Sequence, residues 1–338
     1  MRLTQGVSCD LTGAHTTKCR ELSGPHSGMI GDVTAPDAAF RAVLSRISDK
    51  LELVRTWPLY GGVSAQVTAL EAVRPDGSAE RLVIREYGRR DRERDPQVAA
   101  HEHDLLSRLH AVGLPVPQPL LADESGSILP GPYLVIEYVA GDAMIDPARA
   151  AVPQAAVLTQ LATELTRIHD APVPVHELSY LGDMTETATN RISTRPAVAD
   201  EPLSEPTVRA TLDRIWPPPP PAERTLLHGD YWPGNTLWRD GALVSVIDWE
   251  NAAAGDPVAD LGNARMEICI AFGTAAAREF TGLYGALRPA VDLSSLRHWD
   301  FYAALRHAGR METWGLPADE LTRLRTGHRR FVAMITDS

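Results

Sequence analysis

An aspartate and an asparagine five residues apart follow one short apolar run, and a second aspartate, eighteen residues after the first, ends another. No other feature constrains the fold of this chain as tightly. The first run is Thr225-Leu226-Leu227, followed by His228-Gly229-Asp230-Tyr231-Trp232-Pro233-Gly234-Asn235. The second is Val244-Ser245-Val246-Ile247, which delivers Asp248. Short apolar runs bounded by turn residues read as buried strands. The spacing therefore predicts three oxygen-bearing side chains at the ends of two adjacent strands. Mg²⁺ takes hard oxygen ligands and few of them from protein, so such a set suits a site where the ion meets phosphate.

The flanking sequence divides into a small β-type half and a larger helical half, an α+β arrangement. Residues 1–30 are rich in Gly, Ser, Thr and His without periodicity and are expected to form a disordered extension. Thr34 and Asp37 resemble a capping box, Pro36 suits a first turn, and Phe40, Val43, Ile47 and Leu51 mark one helix face. Gly61-Gly62 punctuates the first β-type run, Arg74-Pro75-Asp76-Gly77 reads as a hairpin turn, and residues 81–85 as a strand. The basic run Arg89, Arg90, Arg92 and Arg94, interleaved with Asp91, Glu93 and Asp95, predicts a solvated loop. A helix is expected over 97–110, with Ala99, Glu102, Leu106 and Leu109 on one face, ended by Pro115, Pro117 and Pro119. Tyr133-Leu134-Val135-Ile136 reads as a buried strand, and residues 137–141 join the halves. Ala155, Leu158, Leu161, Leu165 and Ile168 repeat at helical spacing. Residues 171–225, polar and ending near five consecutive prolines, predict a loop-rich insertion, and the chain from Leu261 onward reads as helices.

Taken together, the His228-to-Asn235 stretch, then Ile247-Asp248-Trp249-Glu250 and Gly255-Asp256-Pro257-Val258-Ala259-Asp260-Leu261, resemble the aminoglycoside phosphotransferase family, small-molecule relatives of the protein kinases. The resemblance covers about residues 55–315 and is strongest from Leu227 to Gly262. It implies a protein-kinase-like two-lobe fold. A β-rich, nucleotide-binding N-lobe with one key helix would span residues 31–137, and a mainly helical, catalytic and substrate-binding C-lobe residues 138–338. It implies ATP or GTP as phosphate donor, Mg²⁺ as cofactor, and transfer of the γ-phosphate to a hydroxyl of a small molecule.

The roles that the resemblance implies fall on particular residues. Asp230 resembles the catalytic base, and His228, grouped with it, the residue that braces the catalytic loop. Asn235 and Asp248 resemble the Mg²⁺ ligands, and Asp260 a structural carboxylate beneath the loop. Gly61, Gly62 and Ser64, within residues 59–67, resemble a glycine-containing phosphate loop, where backbone can approach an anion closely; the family often has Asn where Ala65 stands. Arg85 occupies the place of the usual lysine that reaches the α- and β-phosphates. Its planar fork is not interchangeable with an ammonium group. Glu102 resembles the helix carboxylate that pairs with this cation. Glu137, Tyr138 and Val139 resemble the hinge, whose backbone would meet the purine edge.

Composition narrows the partners more than the acceptor. With 33 basic and 44 acidic side chains the net charge is −11, which repels the backbone of nucleic acid. No apolar run reaches the ~18 residues of a membrane-spanning helix, and the N-terminus lacks the apolar middle of a signal peptide. Neither nucleic acid nor membrane is expected as a partner, the cytoplasm is the expected compartment, and a monomer or weak dimer the expected state. Cys9, Cys19 and Cys269 are too few for a disulfide framework; Cys269 is expected to be buried, and Cys9 and Cys19 match no zinc spacing. A polycationic aminoglycoside calls for an acidic pocket. Residues 171–225 hold eight acidic and five basic side chains, and residues 256–338 ten of each, which singles out no aminoglycoside. Trp299, Phe301, Tyr302 and Trp314 either line an apolar pocket, as for a macrolide, or pack a helical core. An antibiotic-resistance enzyme, a metabolic kinase for an endogenous alcohol and a nucleotide-binding pseudokinase all stay open; intact Asp230, Asn235 and Asp248 argue against the last.

Overall fold

The computed structural model describes residues 35–59, 65–143 and 152–337. The described chain begins with α1 (Ala35–Ile47), whose inward face carries Phe40, Val43 and Leu44. Leu51 is buried too, but beyond the end of the helix, and the Thr34 cap lies outside the described residues. Strands β1 (Glu52–Leu59), β2 (Ala65–Val73) and β3 (Ala79–Tyr87) follow, then the short α2 (Arg89–Arg94) and α3 (Val98–Ala111), and then β4 (Pro119–Asp123) and β5 (Tyr133–Glu137). The strands form one antiparallel sheet in the order β1-β2-β3-β5-β4. The turn at residues 74–77 joins β2 to β3, with Gly77 at φ +81° and Asp76 accepting from the Ser78 N–H at 2.9 Å.

Successive side chains of a strand point to opposite faces. Leu82 and Ile84 on β3 therefore join Tyr133 and Val135 in a cluster under α1, while Tyr87 faces the other way, into the core that holds Leu105, Leu106 and Leu109 of α3. Arg85, one step from Ile84, is turned toward α3 and the rest of the molecule by the same alternation. The segment 89–94, expected as a loop, is helical instead. Asp91 is buried and accepts from the Gly88 N–H at 3.0 Å, which fixes the first turn.

The second part contains β6 (Asp142–Ala143), α4 (Gln154–His169), β7 (Gly182–Asp183), α5 (Met184–Ser193), α6 (Glu205–Ile215), β8 (Thr225–Leu227), β9 (Thr236–Arg239), β10 (Ala242–Val246) and β11 (Ala253–Gly255). Four helices complete it: α7 (Val258–Phe272), α8 (Thr274–Leu287), α9 (Leu296–Arg306) and α10 (Ala318–Thr336). Residues 171–225 are less loop-rich than their composition suggests. Asp183 caps α5 by accepting from the Glu186 N–H, Pro206 sits in the first turn of α6 where a missing N–H costs little, and Val208 and Leu212 bury that helix against α9.

The strands that end at the motif are not neighbours. β8 pairs with β11 in the sheet β7-β11-β8, whereas β10 pairs with β9 in the sheet β10-β9-β6. β9 starts directly after Asn235 and returns through Asp240 and Gly241, at φ 52° and 82°. Left-handed backbone at both turn residues matches the twist of a two-residue hairpin. Beneath these loops runs α7, with twelve of its fifteen residues buried. Cys269 lies there, and burial pushes its thiol up to about 11. Trp299 and Phe301 are wholly buried and Tyr302 nearly so, with Trp299 edge-on to Trp216 at 5.3 Å, so this aromatic stretch packs the core. Among the described residues no helix is long and apolar enough to cross a membrane.

Candidate active site

The loop after β8 is held from below by one carboxylate. Asp260, on the first turn of α7, accepts from the N–H of His228 at 2.7 Å and of Gly229 at 2.8 Å, and His169 Nε2 approaches it at 3.2 Å. Burial works against its charge, but the hydrogen bond from His169 and the amides of the loop outweigh burial and hold the carboxyl below the usual range. Gly229 permits the turn. It sits at φ +77°, and a Cβ there would lie 1.9 Å from the Asn251 carbonyl oxygen. His228 is fully buried; its Nδ1 accepts from the Asp230 N–H at 3.2 Å, so Nε2 carries the proton donated to Ile247 O at 2.9 Å. The ring thus braces two loops and does not reach open space.

Asn235 and Asp248 come together through backbone. The Ile247 N–H donates to Asn235 O at 2.9 Å, and the next residue, Asp248, turns outward in the left-handed region at φ 69°. Asn235 Nδ2 donates to Asp230 O at 2.9 Å and lies 3.3 Å from Asp230 Oδ2. With its amide nitrogen committed, Asn235 has Oδ1 left to offer. Asp248 keeps its side chain about one-third exposed, at 33%. Among the described residues no cluster of three His, Cys, Asp or Glu side chains is placed to hold a metal. An amide oxygen and a carboxylate alone remain, and such hard donors fit Mg²⁺, which takes its other ligands from phosphate and water.

Across from these loops stands Arg85. Its Nη2 donates to Asp248 Oδ1 at 2.9 Å and to Glu250 Oε2, and its Nη1 lies 3.6 Å from Glu102 Oε1. Glu102 is buried and also accepts from the Tyr87 hydroxyl at 2.8 Å. Burial opposes the guanidinium charge, yet Glu102 and Asp248 raise its pKa well above the ordinary value. Glu137 is exposed, and its N–H is taken by Gln118 O at 2.8 Å. The Val139 backbone has no hydrogen-bond partner among the described residues. Gly61, Gly62 and Ser64 lie outside the described residues, as do Cys9 and Cys19.

Sequence reasoning missed three members of the site. Glu250 stands within the Ile247-to-Glu250 motif, where a second carboxylate after Asp248 was the available signal. Asn263, one helical turn past Asp260, places Nδ2 3.4 Å from Asp230 Oδ1. Arg306, at the end of α9, donates Nη2 to Asp230 Oδ1 at 2.9 Å and Nη1 to Asn263 Oδ1 at 2.5 Å. No local pattern announces an arginine arriving from a helix 76 residues away.

The pattern described as the phosphotransferase enzyme family matches residues 58–305. The chain is similar in fold to a putative aminoglycoside phosphotransferase from Ralstonia eutropha JMP134, with 16% identity, a TM-score of 0.61, and 89% of this chain and 98% of that one covered. It is similar also to an amicoumacin kinase solved with AMP-PNP, Ca²⁺ and Ami, with 14% identity, a TM-score of 0.56, and 89% and 96% of the two chains covered. Both share the two-lobe, protein-kinase-like arrangement. By sequence, 170 residues are 28% identical to acyl-CoA dehydrogenase family member 10 of Mus musculus, a match over 47% of this chain and 16% of that protein. The match thus spans less than a fifth of that relative's length.

Proposed function

The chain belongs to the phosphotransferase enzyme family, and on that premise we propose that it transfers the γ-phosphate of ATP or GTP to a hydroxyl group of a small molecule. One observation carries the reading: Arg85, on the sheet of the first lobe, meets Asp248 at 2.9 Å, beside the loop that holds Asp230 and Asn235. A cation for the α- and β-phosphates and the oxygen donors of a metal–triphosphate site therefore share one cleft.

In this mechanism the nucleotide base lies against the hinge at Glu137 and Val139, and the resemblance alone assigns Gly61, Gly62 and Ser64 to the phosphates. Glu102 holds the Arg85 fork in place. Asn235 and Asp248 would hold Mg²⁺, which when bound neutralises phosphate charge and orients the triphosphate. Asp230 accepts the acceptor's proton as the new oxygen–phosphorus bond forms and the bond to the leaving nucleotide breaks. His228 acts through position, fixing the Asp230 backbone. Most of the rate enhancement comes from alignment and charge neutralisation, because phosphoryl transfer asks little covalent chemistry of the protein.

The test is acceptor-dependent release of ADP or GDP by the purified chain with Mg²⁺, screened over hydroxylated metabolites and antibiotics. The expected result is turnover that Asp230→Ala abolishes. Near-wild-type turnover in that variant, or no calorimetric affinity for a metal–nucleotide complex, overturns the reading.

A further inference from the structure

The chain is acidic overall, at −11, yet arginines stand on one side of Asp230. Behind Arg306, whose guanidinium holds Asp230, lies Arg191 on α5, which donates Nη2 to the Arg306 carbonyl at 2.6 Å. Arg310 follows one turn beyond α9 and is exposed. Among the described residues neither Arg191 nor Arg310 has an ion-pair partner. Of the carboxylates around them, Glu205 pairs with Arg209 at 2.6 Å, Asp300 pairs with Arg265 at 2.9 Å, Glu267 lies 2.8 Å from His307, and Asp200 accepts from the Gly309 N–H at 2.9 Å beside Arg310. Burial, together with the positive charges of Arg310, Arg306 and Arg209, holds the Arg191 pKa below its ordinary value.

A cation at a helix C-terminus is favoured by the aligned backbone dipoles, which accounts for the hydrogen bond of Arg191. It does not account for a part-buried guanidinium that lies against Arg306 with no ion pair among the described residues, since like charges there repel. A ligand anion removes that repulsion. The guanidinium fork matches the oxygens of a carboxylate or a phosphate, and a polycation placed here meets charge of its own sign.

We propose that the acceptor alcohol carries an anionic group, a carboxylate or a phosphate, which Arg191 and Arg306 receive while its hydroxyl faces Asp230. The inference rests on the phosphotransferase reading and names its acceptor class. Arg306 then serves both Asp230 and the acceptor, and Arg191 is the residue that discriminates by charge.

The experiment uses the purified full chain with Mg²⁺ and ATP and four matched hexanols, ending in a carboxylate, a phosphate, a hydroxyl or an ammonium group. The expected kcat/KM for the carboxylate or the phosphate exceeds that of the neutral diol by about tenfold or more, as for a charge-assisted hydrogen bond. Which of the two anions leads identifies the group. Arg191→Gln removes that preference by raising the KM of the anionic acceptor with the KM of ATP unmoved, and Arg191→Lys restores part of it. Equal rates for all four, a lead for the ammonium compound, or an Arg191→Gln variant with unchanged preference overturns the inference and leaves the transferase reading standing. Transfer to none of the four counts against both.

Discussion

Arg85 Nη2 lies 2.9 Å from Asp248 Oδ1, so a cation rooted in the first lobe rests on the carboxylate that ends a strand of the second. Glu250 and Glu102 share the same guanidinium. A lysine, with its donors at one point, could not spread over three carboxylates in this way. The replacement of the usual lysine by arginine thus comes with added acidic partners.

Removing this cation is expected to affect both activity and folding. Arg85→Met should lower kcat/KM for the nucleotide by about 10²–10³, the usual effect of losing one charged donor at a phosphoryl or oxyanion site. It should also destabilise the free protein by about 3 kcal/mol, because buried Glu102 loses its counter-charge. Arg85→Lys should fall between wild type and Met in both. Steady-state kinetics and urea unfolding check the pair.

Asp230→Asn keeps the size of the side chain and the bonds from Asn235 but cannot take a proton. Its kcat should fall by about 10²–10⁴, the range of general-base effects. Nucleotide affinity measured by calorimetry should stay within a few-fold of wild type, since the role proposed for Asp230 is toward the acceptor.

Gly229→Ala should fold poorly. The new Cβ would lie 1.9 Å from the Asn251 carbonyl oxygen, on backbone at φ +77°. Gly315, at φ +68° with open space around it, is the control for backbone strain alone. Gly315→Ala should cost about 1 kcal/mol, and Gly229→Ala several times more. Chemical denaturation of the two variants separates strain from collision.

His328 gives the pH dependence. Burial, and the nearby His307, lower its pKa to about 4 from the ordinary 6.5, while Nε2 donates to Ala304 O at 2.8 Å. The folded state holds the ring neutral more strongly than the unfolded chain does. Its contribution is therefore complete above pH 6.5 and is lost as pH falls toward 4. The span corresponds to about 3 kcal/mol. Unfolding midpoints measured across that window should drop for wild type and drop less for His328→Gln.

Local chemistry made part of this site readable. Alternation along residues 81–85 turns Arg85 away from the apolar face, and the helical face of α3 brings Glu102 to meet it. The run ending at Leu227 and the run ending at Ile247 both carry their motif residues to one loop cluster. Their assignment to adjacent strands failed because β9, only Thr236–Arg239, was concealed behind the motif. Its signal was the Asp240-Gly241 pair, a hairpin dipeptide. Helices α5 and α6 hid among prolines and polar residues because few apolar contacts anchor each one. Arg306 and Asn263 reach Asp230 only through the packing of α7 on α9, which leaves no trace in local spacing.

Helix α7 supplies both Asp260 and Asn263, and it is also among the most deeply interred segments of the molecule. Loops of enzymes commonly loosen well before the whole protein melts. Here the Asp230 loop is pegged to the innermost scaffold instead. Thermal inactivation should accordingly coincide with the cooperative loss of tertiary structure, and residual catalysis after heating can serve as a gauge of how much of the population is still native.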